Sequence, residues 1–507
     1  MNKGKICVSV CAETVEEFAE KFKQAMDSAD VIELRFDCLK NLETEKLAQK
    51  INELRKEFRG KLLATFRPAE QGGKSDLSLK EREDFWLRSR LVELMDWADF
   101  ESDFPAEKSN ECRTKPFSRI IKSFHDFDGA PENLENIYEN LARTDSEIIK
   151  IAVQTDDITD TIPVWKLLGK AAADGKKVIP IAMGEAGKWT RILGLAHGSP
   201  LTYAALEDGN ENAPGQISAR DLIETYRVKE LNAQTEIYGI LGAKTSYSLS
   251  PIMHNAAFKK YNLNAVFIPF QVKNLDEFIR RMAREETREI DLNFKGFSVT
   301  IPHKQAIIKH LDELDEAARE IGAVNTIKIV DGKFYGFNTD ARGFIEPLRN
   351  SYGDLKHAKV AVFGAGGAAR ACVYALKKDN ADVTIFARDL KKAAALAEKF
   401  QVELRESRIT NHELRDFNIL VNTTPLGTKG ELENQTIASR EQLEGVKFVC
   451  DLVYNPLQTE LMAEADKARV PKIGGTAMLV AQGAKQFEIW TGKTAPVKEM
   501  KTAILRK

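Results

Sequence analysis

Through the first part of the chain, short apolar runs alternate with longer stretches of helical period. The runs are Ile6–Val10, Val31–Phe36, Leu62–Arg67, Trp97–Glu101, Arg119–Phe124, Ile148–Val153, Val178–Met183 and Leu201–Ala205. Segments such as Val15–Ser28 and Pro163–Asp174 fill the gaps with apolar residues on one helical face. Eight such repeats predict an α/β fold with an N-terminal (β/α)8 barrel, although an open doubly wound sheet gives a similar string. A polar helical stretch, Asp221–Glu236, then reads as a junction. New strands are expected at Ile237–Leu241, Ala265–Pro269, Gly296–Ile301 and Thr326–Val330. A second βαβ pattern follows, with strands at Val360–Phe363, Val383–Phe386, Ile419–Val421 and Phe448–Leu452, and Met478–Leu505 returns to helical periodicity.

Strand side chains alternate between faces, so spacing sorts the polar residues. Glu33 and Arg35 share a face, as do Thr65 and Arg67, Asp99 and Glu101, and Ser123 and His125. Lys150 falls with Ile148 and Ala152 on the face turned into the barrel. A lysine there is costly unless paired or functional, and burial favours its neutral amine, a nucleophile for a ketone. A structural ion-pair network is the bland alternative, and it weakens as the set of inward polar residues grows.

Strand Val360–Phe363 runs into Gly364-Ala365-Gly366-Gly367-Ala368-Ala369 and then an apolar-periodic helix. Glycines at such a junction permit a tight turn and close backbone approach to a pyrophosphate at the helix N-terminus. A tight turn with no ligand is the competing reading. The next strand ends at Arg388-Asp389. An acid at that tip suits a ribose hydroxyl and NAD, whereas a guanidinium suits a 2′-phosphate and NADP. With Lys391 and Lys392 nearby, the balance leans to NADP.

Charge removes one class of partner. Lys and Arg number 74 against 76 Asp and Glu, a net −2, so nucleic acid is not the expected partner. Cys7, Cys11, Cys38, Cys112, Cys372 and Cys450 lack CxxC or zinc-ligand spacing, and free thiols with no metal are expected. The N-terminal apolar run is too short for a signal core or a membrane span, so a cytoplasmic enzyme away from the membrane is expected, with a trimmed transit peptide left open.

These motifs resemble two families. The first half resembles type I 3-dehydroquinate dehydratase through Glu33-Leu34-Arg35, Thr65-Phe66-Arg67, Ser123-Phe124-His125-Asp126, Lys150-Ile151-Ala152, Met183-Gly184 with Thr190-Arg191, and Ala213-Pro214-Gly215-Gln216. The resemblance implies a Schiff base at Lys150, with His125 as the proton carrier and Glu101 as the carboxylate that orients it. It makes Glu33, Arg35, Arg67, Arg191 and Gln216 substrate contacts. Asn212 departs from the family's usual Ser or Thr.

The second half resembles shikimate dehydrogenase through Ser248-Leu249-Ser250-Pro251, Ser298 to Lys304, Gly322 to Thr326, Asn338-Thr339-Asp340, Asn422 to Pro425, Asp451 to Pro456 and Gln482-Gly483-Ala484. It implies a catalytic pair, Lys304 and Asp340, with Ser248, Ser250, Thr300, Asn325, Tyr454 and Gln482 binding substrate. Gly364, Ala365, Gly366, Gly367, Ala368, Arg388, Asn422, Thr423 and Met478 would hold NADPH. Together the two resemblances imply dehydration of 3-dehydroquinate to 3-dehydroshikimate followed by reduction to shikimate, steps of aromatic amino acid biosynthesis. The expected division is a barrel at 1–226, a linker at 227–236, a catalytic lobe at 237–350 plus 477–507, and a Rossmann lobe at 351–476. A metabolite sensor built on the same folds is the rival, and it sits badly with the retention of Lys150, His125, Lys304 and Asp340.

Overall fold

The computed structural model describes residues 2–40, 43–105, 108, 119–207, 209, 211–410 and 413–506. Two compact units emerge, one of Met1–Glu236 with Asn264–Asn293 and one of Ile237–Leu263 with Phe294–Lys507.

The first unit is built on eight parallel strands: β1 (Lys5–Val10), β2 (Val31–Arg35), β3 (Lys61–Thr65), β4 (Trp97–Glu101), β5 (Arg119–Asp126), β6 (Ile148–Gln154), β7 (Lys177–Met183) and β8 (Leu201–Ala204). Their order, β7-β6-β5-β4-β3-β2-β1-β8, is that of a barrel wall, so the barrel reading prevails over the open sheet. The eight apolar runs expected from the sequence coincide with these strands. Near-continuous Val, Ile, Leu and Ala suit strands buried on both faces. Cys7, Val31, Leu63, Trp97, Ile121, Ile148, Ile179, Leu201 and Tyr203 form one inner cluster. On the outer side Ile149, Ile151 and Val153 pack with Leu134, Tyr138 and Val164 of the helical layer.

Three features depart from expectation. The stretch Asp221–Glu236 is not one helix: a single wide turn, Asp221–Thr225, is followed by turns with Val228 and Leu231 buried. It is tied down by Asn2 Nδ2, which donates to the Val228 and Leu231 carbonyls at 2.8 and 3.0 Å, so it belongs to the first unit. Residues 264–293 also group with that unit. There Arg227 donates to the Ala265 carbonyl at 3.1 Å, Asp157 accepts from Lys273 N at 2.6 Å, and Lys166 meets Glu289 at 2.6 Å. The strand in this segment is β10 (Ala265–Gln271), and β9 (Glu236–Gly242) precedes it.

The third departure concerns the cysteines. Cys11 and Cys38 are joined in a disulfide rather than free. The residues are 27 apart in sequence, but β1 and β2 are neighbours with Val10 opposite Leu34, and this brings the following loops together. Cys7, Cys372 and Cys450 are buried thiols, and Cys112 lies outside the described residues.

In the second unit, β11 (Phe294–Val299) runs parallel to β9 and antiparallel to β13 (Thr326–Val330). A hairpin turning at Asp331-Gly332, both at positive φ, leads to β14 (Lys333–Phe337), which pairs with β12 (Glu313–Leu314). The remaining sheet is all parallel: β15 (Lys359–Phe363), β16 (Asp382–Ala387), β17 (Glu403–Glu406), β18 (Ile419–Asn422), β19 (Phe448–Asp451) and β20 (Lys472–Ile473). Its order, β17-β16-β15-β18-β19-β20, reverses direction between β15 and β18, which is where open α/β sheets bind ligands. Strands β14 and β17 are two that the apolar pattern did not mark. Both are half-polar and exposed in part.

Candidate active sites

Register concentrates the inward polar residues of the barrel. Thr65 stands opposite Asp99, Glu101 opposite Ser123, and Ser123 opposite Lys150. Glu33, Thr65, Arg67, Asp99, Glu101 and Lys150 are all buried. Glu33 accepts from Thr65 Oγ1 at 2.8 Å and from Ser9 Oγ. Lys150 Nζ lies 3.3 Å from Asp99 Oδ2, and Arg67 NH2 donates to the same oxygen at 2.9 Å. Burial lowers the Lys150 ammonium below the ordinary lysine range, against the pull of Asp99. Burial works against the Asp99 charge too, but Arg67 and Lys150 hold that carboxyl below its usual range.

His125 is also depressed, first by burial and then by the cations Arg67, Lys150 and Arg35. The group on its Nδ1 is Arg67 NH1, at 3.0 Å. Glu101 does not fill the orienting role expected of it. Its register is opposite Ser123, two residues short of the histidine, and its carboxylate meets Arg67 NH1 and Arg82 NH1, each at 3.4 Å. Burial, with Asp99 beside it, pushes Glu101 up to about 8.

Arg35 is held by two bonds to Asp37, at 2.8 and 2.7 Å. Gln216 accepts from Asn212 N at 2.8 Å, and Asn212 Nδ2 donates to the Ser9 carbonyl at 3.1 Å, so the departure at 212 is used to fasten the loop. Arg191 is buried, its Nε has no partner among the described residues, and burial alone pulls it down to about 10. Its guanidinium otherwise reaches only the Pro214 carbonyl at 3.4 Å. Arg35, Arg67, His125, Lys150, Arg191 and Gln216 line one pocket.

The second unit holds a cavity of about 580 Å³ whose lining includes Ser250, Thr300, Lys304, Asn325, Asp340, Tyr454 and Gln482. Lys304 sits just beyond β11, and Asp340 opens the helix Asp340–Tyr352. Lys304 Nζ bonds Asp340 Oδ2, and Asn325 Nδ2 donates to Asp340 Oδ1 at 2.8 Å. Gln482 Oε1 accepts from Asn325 Nδ2 at 3.3 Å. Ser248 bonds the Tyr454 phenol, which burial raises to about 12.

On the nucleotide side, Ala368, Thr423 and Met478 line the same cavity. Gly364 adopts φ +116°, and a Cβ there would meet Thr423 Oγ1 at 2.4 Å, so the turn requires glycine. The following helix, Gly367–Lys378, begins at Gly366 with no side-chain cap, which leaves N–H groups for an anion. A Cβ on Gly367 would meet Lys304 Cδ at 2.9 Å, so this loop packs directly on Lys304. Arg388 is exposed, while the Asp389 carboxylate is turned onto its own helix, accepting from Lys392 N at 3.1 Å. Uncapped N–H groups, a glycine cradle and a free guanidinium fit a dinucleotide with a 2′-phosphate. Asn422 is 1% exposed and spends its amide on Asp451, Leu426 and Thr424, so it shapes the turn from within.

Sequence reasoning missed Asp37, Arg82 and Gln486, and it placed Asp99 on the inner face without giving it a partner. Asp37 and Asp99 hold Arg35 and Lys150. Arg82, which braces Glu101, comes from the helix Leu79–Arg88, outside the strand pattern. Gln486 accepts from Ser298 Oγ at 2.8 Å and donates to the Asn325 carbonyl and Thr326 Oγ1 at 3.1 and 3.0 Å. The spacing of Gln482 and Gln486, one helical turn, was the available signal for the last. Among the described residues no cluster of three His, Cys, Asp or Glu is arranged to hold a metal ion. No helix among them is long and apolar enough to cross a membrane.

Comparison with known proteins places both halves of the chain. Residues 6–233 match the model for type I 3-dehydroquinase. Residues 240–327 match the shikimate dehydrogenase substrate binding domain, 347–454 match shikimate / quinate 5-dehydrogenase, and 475–505 match the shikimate 5′-dehydrogenase C-terminal domain. A shikimate dehydrogenase (NADP(+)) of Methanocaldococcus jannaschii is 42% identical over 285 residues, covering 55% of this chain and 99% of that protein. A solved shikimate dehydrogenase in complex with NADP+ is 39% identical over 54% of this chain and 96% of its own, with a TM-score of 0.50. The chloroplastic bifunctional 3-dehydroquinate dehydratase/shikimate dehydrogenase of Arabidopsis thaliana is 34% identical over 530 residues, covering 100% of this chain and 85% of the relative. With both halves matched along the whole chain, the protein belongs to the family of bifunctional 3-dehydroquinate dehydratase/shikimate dehydrogenases.

Proposed function

We propose that the first unit dehydrates 3-dehydroquinate to 3-dehydroshikimate through a Schiff base at Lys150, and that the second reduces that ketone to shikimate with NADPH. The observation that carries the reading is shared by both units: each pocket contains a lysine paired with a carboxylate, Lys150 with Asp99 and Lys304 with Asp340.

In the barrel, the depressed Lys150 supplies the neutral amine that adds to the ketone. The iminium draws electrons from the neighbouring C–H bond. His125 takes that proton and returns it to the departing hydroxyl, and hydrolysis frees the lysine. Arg191, buried with an unpaired Nε, supplies the cation for the substrate carboxylate, where a guanidinium fork fits best. Glu33, Arg35, Arg67 and Gln216 complete the substrate contacts.

In the second unit, the ammonium of Lys304 gives its proton to the carbonyl oxygen as it becomes a hydroxyl. Asp340 holds that ammonium in place, and Asn325 holds Asp340. Bound NADPH supplies the hydride. Gly364 to Ala368, Thr423, Met478 and Arg388 form its seat, with Arg388 on the 2′-phosphate. Ser248, Ser250, Thr300, Tyr454 and Gln482 present hydroxyls and amides, groups that donate and accept together and so suit a polyol acid.

The partners are thus small molecules rather than nucleic acid or membrane. A cytoplasmic location remains part of the reading, and cell fractionation separates it from the chloroplast named for the Arabidopsis relative. The deciding test feeds 3-dehydroquinate with NADPH to the full chain and follows nucleotide loss, alongside borohydride treatment. Oxidation of NADPH with a reduced adduct on Lys150 is expected. Oxidation without any adduct removes the Schiff base, and an adduct without oxidation removes the second reaction.

A further inference from the structure

Tyr203 of β8 has no assigned role. It stands opposite Cys7 of β1, faces the barrel interior and is 3% exposed. Among the described residues its hydroxyl has no hydrogen-bond partner. A buried tyrosine ordinarily finds one, so no bond of the phenol explains the residue at this position. What it gives its surroundings is its ring, and the ring lies under the reactive amine: Lys150 Nζ is 3.9 Å from its centroid. Both residues line the dehydratase pocket.

We propose that the face of Tyr203 carries the cationic nitrogen formed when Lys150 condenses with the substrate ketone. The inference rests on the Schiff-base reading of Lys150. In that condensation, ammonium and ketone become iminium and water. The nitrogen forms a bond to the ketone carbon, two of its hydrogens leave with the carbonyl oxygen as water, and the positive charge stays on nitrogen. The ammonium has three N–H donors, whereas the iminium keeps one. Support by hydrogen bonding therefore shrinks at the moment the iminium forms, while support by a π face does not need a donor. The ring thus keeps its hold on the nitrogen as the donors are lost, and it favours the iminium over the neutral amine that adds to the ketone. Asp99 on β4, Glu33 on β2, Cys7 on β1, Arg67 beyond β3 and His125 on β5 also face this nitrogen, and the ring adds attraction without a further ionisable carboxylate.

The test compares the full chain with Tyr203→Phe and Tyr203→Met, and with Tyr203→Phe carrying a progressively fluorinated ring. Each is incubated with 3-dehydroshikimate, treated with borohydride, and the modified fraction of Lys150 is read by peptide mass. The wild type and Tyr203→Phe are expected to trap alike, Tyr203→Met about tenfold less, and the fluorinated series stepwise less. The fluorinated rings keep the shape of the side chain, so they decide the matter if Tyr203→Met does not fold. Wild-type trapping in the fully fluorinated variant overturns the proposal, as does a loss in Tyr203→Phe as deep as in Tyr203→Met. No adduct in the wild type overturns the Lys150 reading itself, and this inference with it.

Discussion

Arg67 NH1 lies 3.0 Å from His125 Nδ1. A guanidinium can only donate, so Nδ1 must accept, and the proton of the neutral ring sits on Nε2. The lone pair with which the resting ring can act as a base is therefore the one Arg67 covers, and proton uptake requires that contact to open.

This relationship fixes an NMR outcome. Burial and the surrounding cations hold His125 below its ordinary range, so the ring is neutral at pH 7. Nitrogen-15 spectra of the resting enzyme are expected to show a bare Nδ1 and a protonated Nε2. The opposite pattern, or an imidazolium, contradicts the assignment.

Replacing Asp99 with Asn tests the lysine. Asp99 favours the ammonium of Lys150, and its loss lets the amine form at lower pH. The acid limb of kcat/KM for dehydration, which follows the neutral amine, is expected to move to lower pH in Asp99→Asn. A limb that stays in place or moves up removes Asp99 from control of Lys150. Because Arg67 loses a buried counter-ion as well, a stability loss of about 3–5 kcal/mol is expected on thermal unfolding.

In the second unit, Lys304→Ala removes the proposed proton donor but not the proposed nucleotide seat. Shikimate formation should fall by about a hundredfold or more, the range for a positioned acid, while NADPH binding persists in a fluorescence titration. Turnover at the wild-type rate refutes the role of Lys304.

Nucleotide choice separates Arg388 from Asp389. Loss of a charge-assisted bond to phosphate in Arg388→Ala should weaken NADPH by about ten- to a hundredfold and leave NADH nearly unchanged. Asp389→Asn keeps an N-cap oxygen and should not change the preference. A swing in preference from Asp389→Asn alone shows that its carboxylate faces the nucleotide.

How far the sequence anticipated these sites depends on what spacing can encode. Period-two alternation put Lys150, Glu33 and Thr65 inside the barrel, because in a strand position determines side. It also gathered Asp99 with Glu101, but it carried no register between strands. The link from Glu101 to His125 came from the family resemblance, and pairing sets Glu101 against Ser123. Arg82 arrives from a helix, where strand parity says nothing. The Cys11–Cys38 bond depends on the adjacency of β1 and β2, a relation that no local cysteine spacing reports. The glycine loop was readable because Gly364 answers a local backbone demand, while the direction of the Asp389 side chain depends on its capping the helix Leu390–Phe400 at Lys392 N.

In the proposed reading, the close approach of Lys304 to Gly367 makes one backbone position serve two kinds of chemistry. The missing side chain that lets a phosphate approach also leaves room for the methylenes of the acid. Drift at this glycine is then constrained from both sides: an added methyl would disturb proton delivery even if nucleotide affinity survived, and a variant screened only for binding would hide the damage.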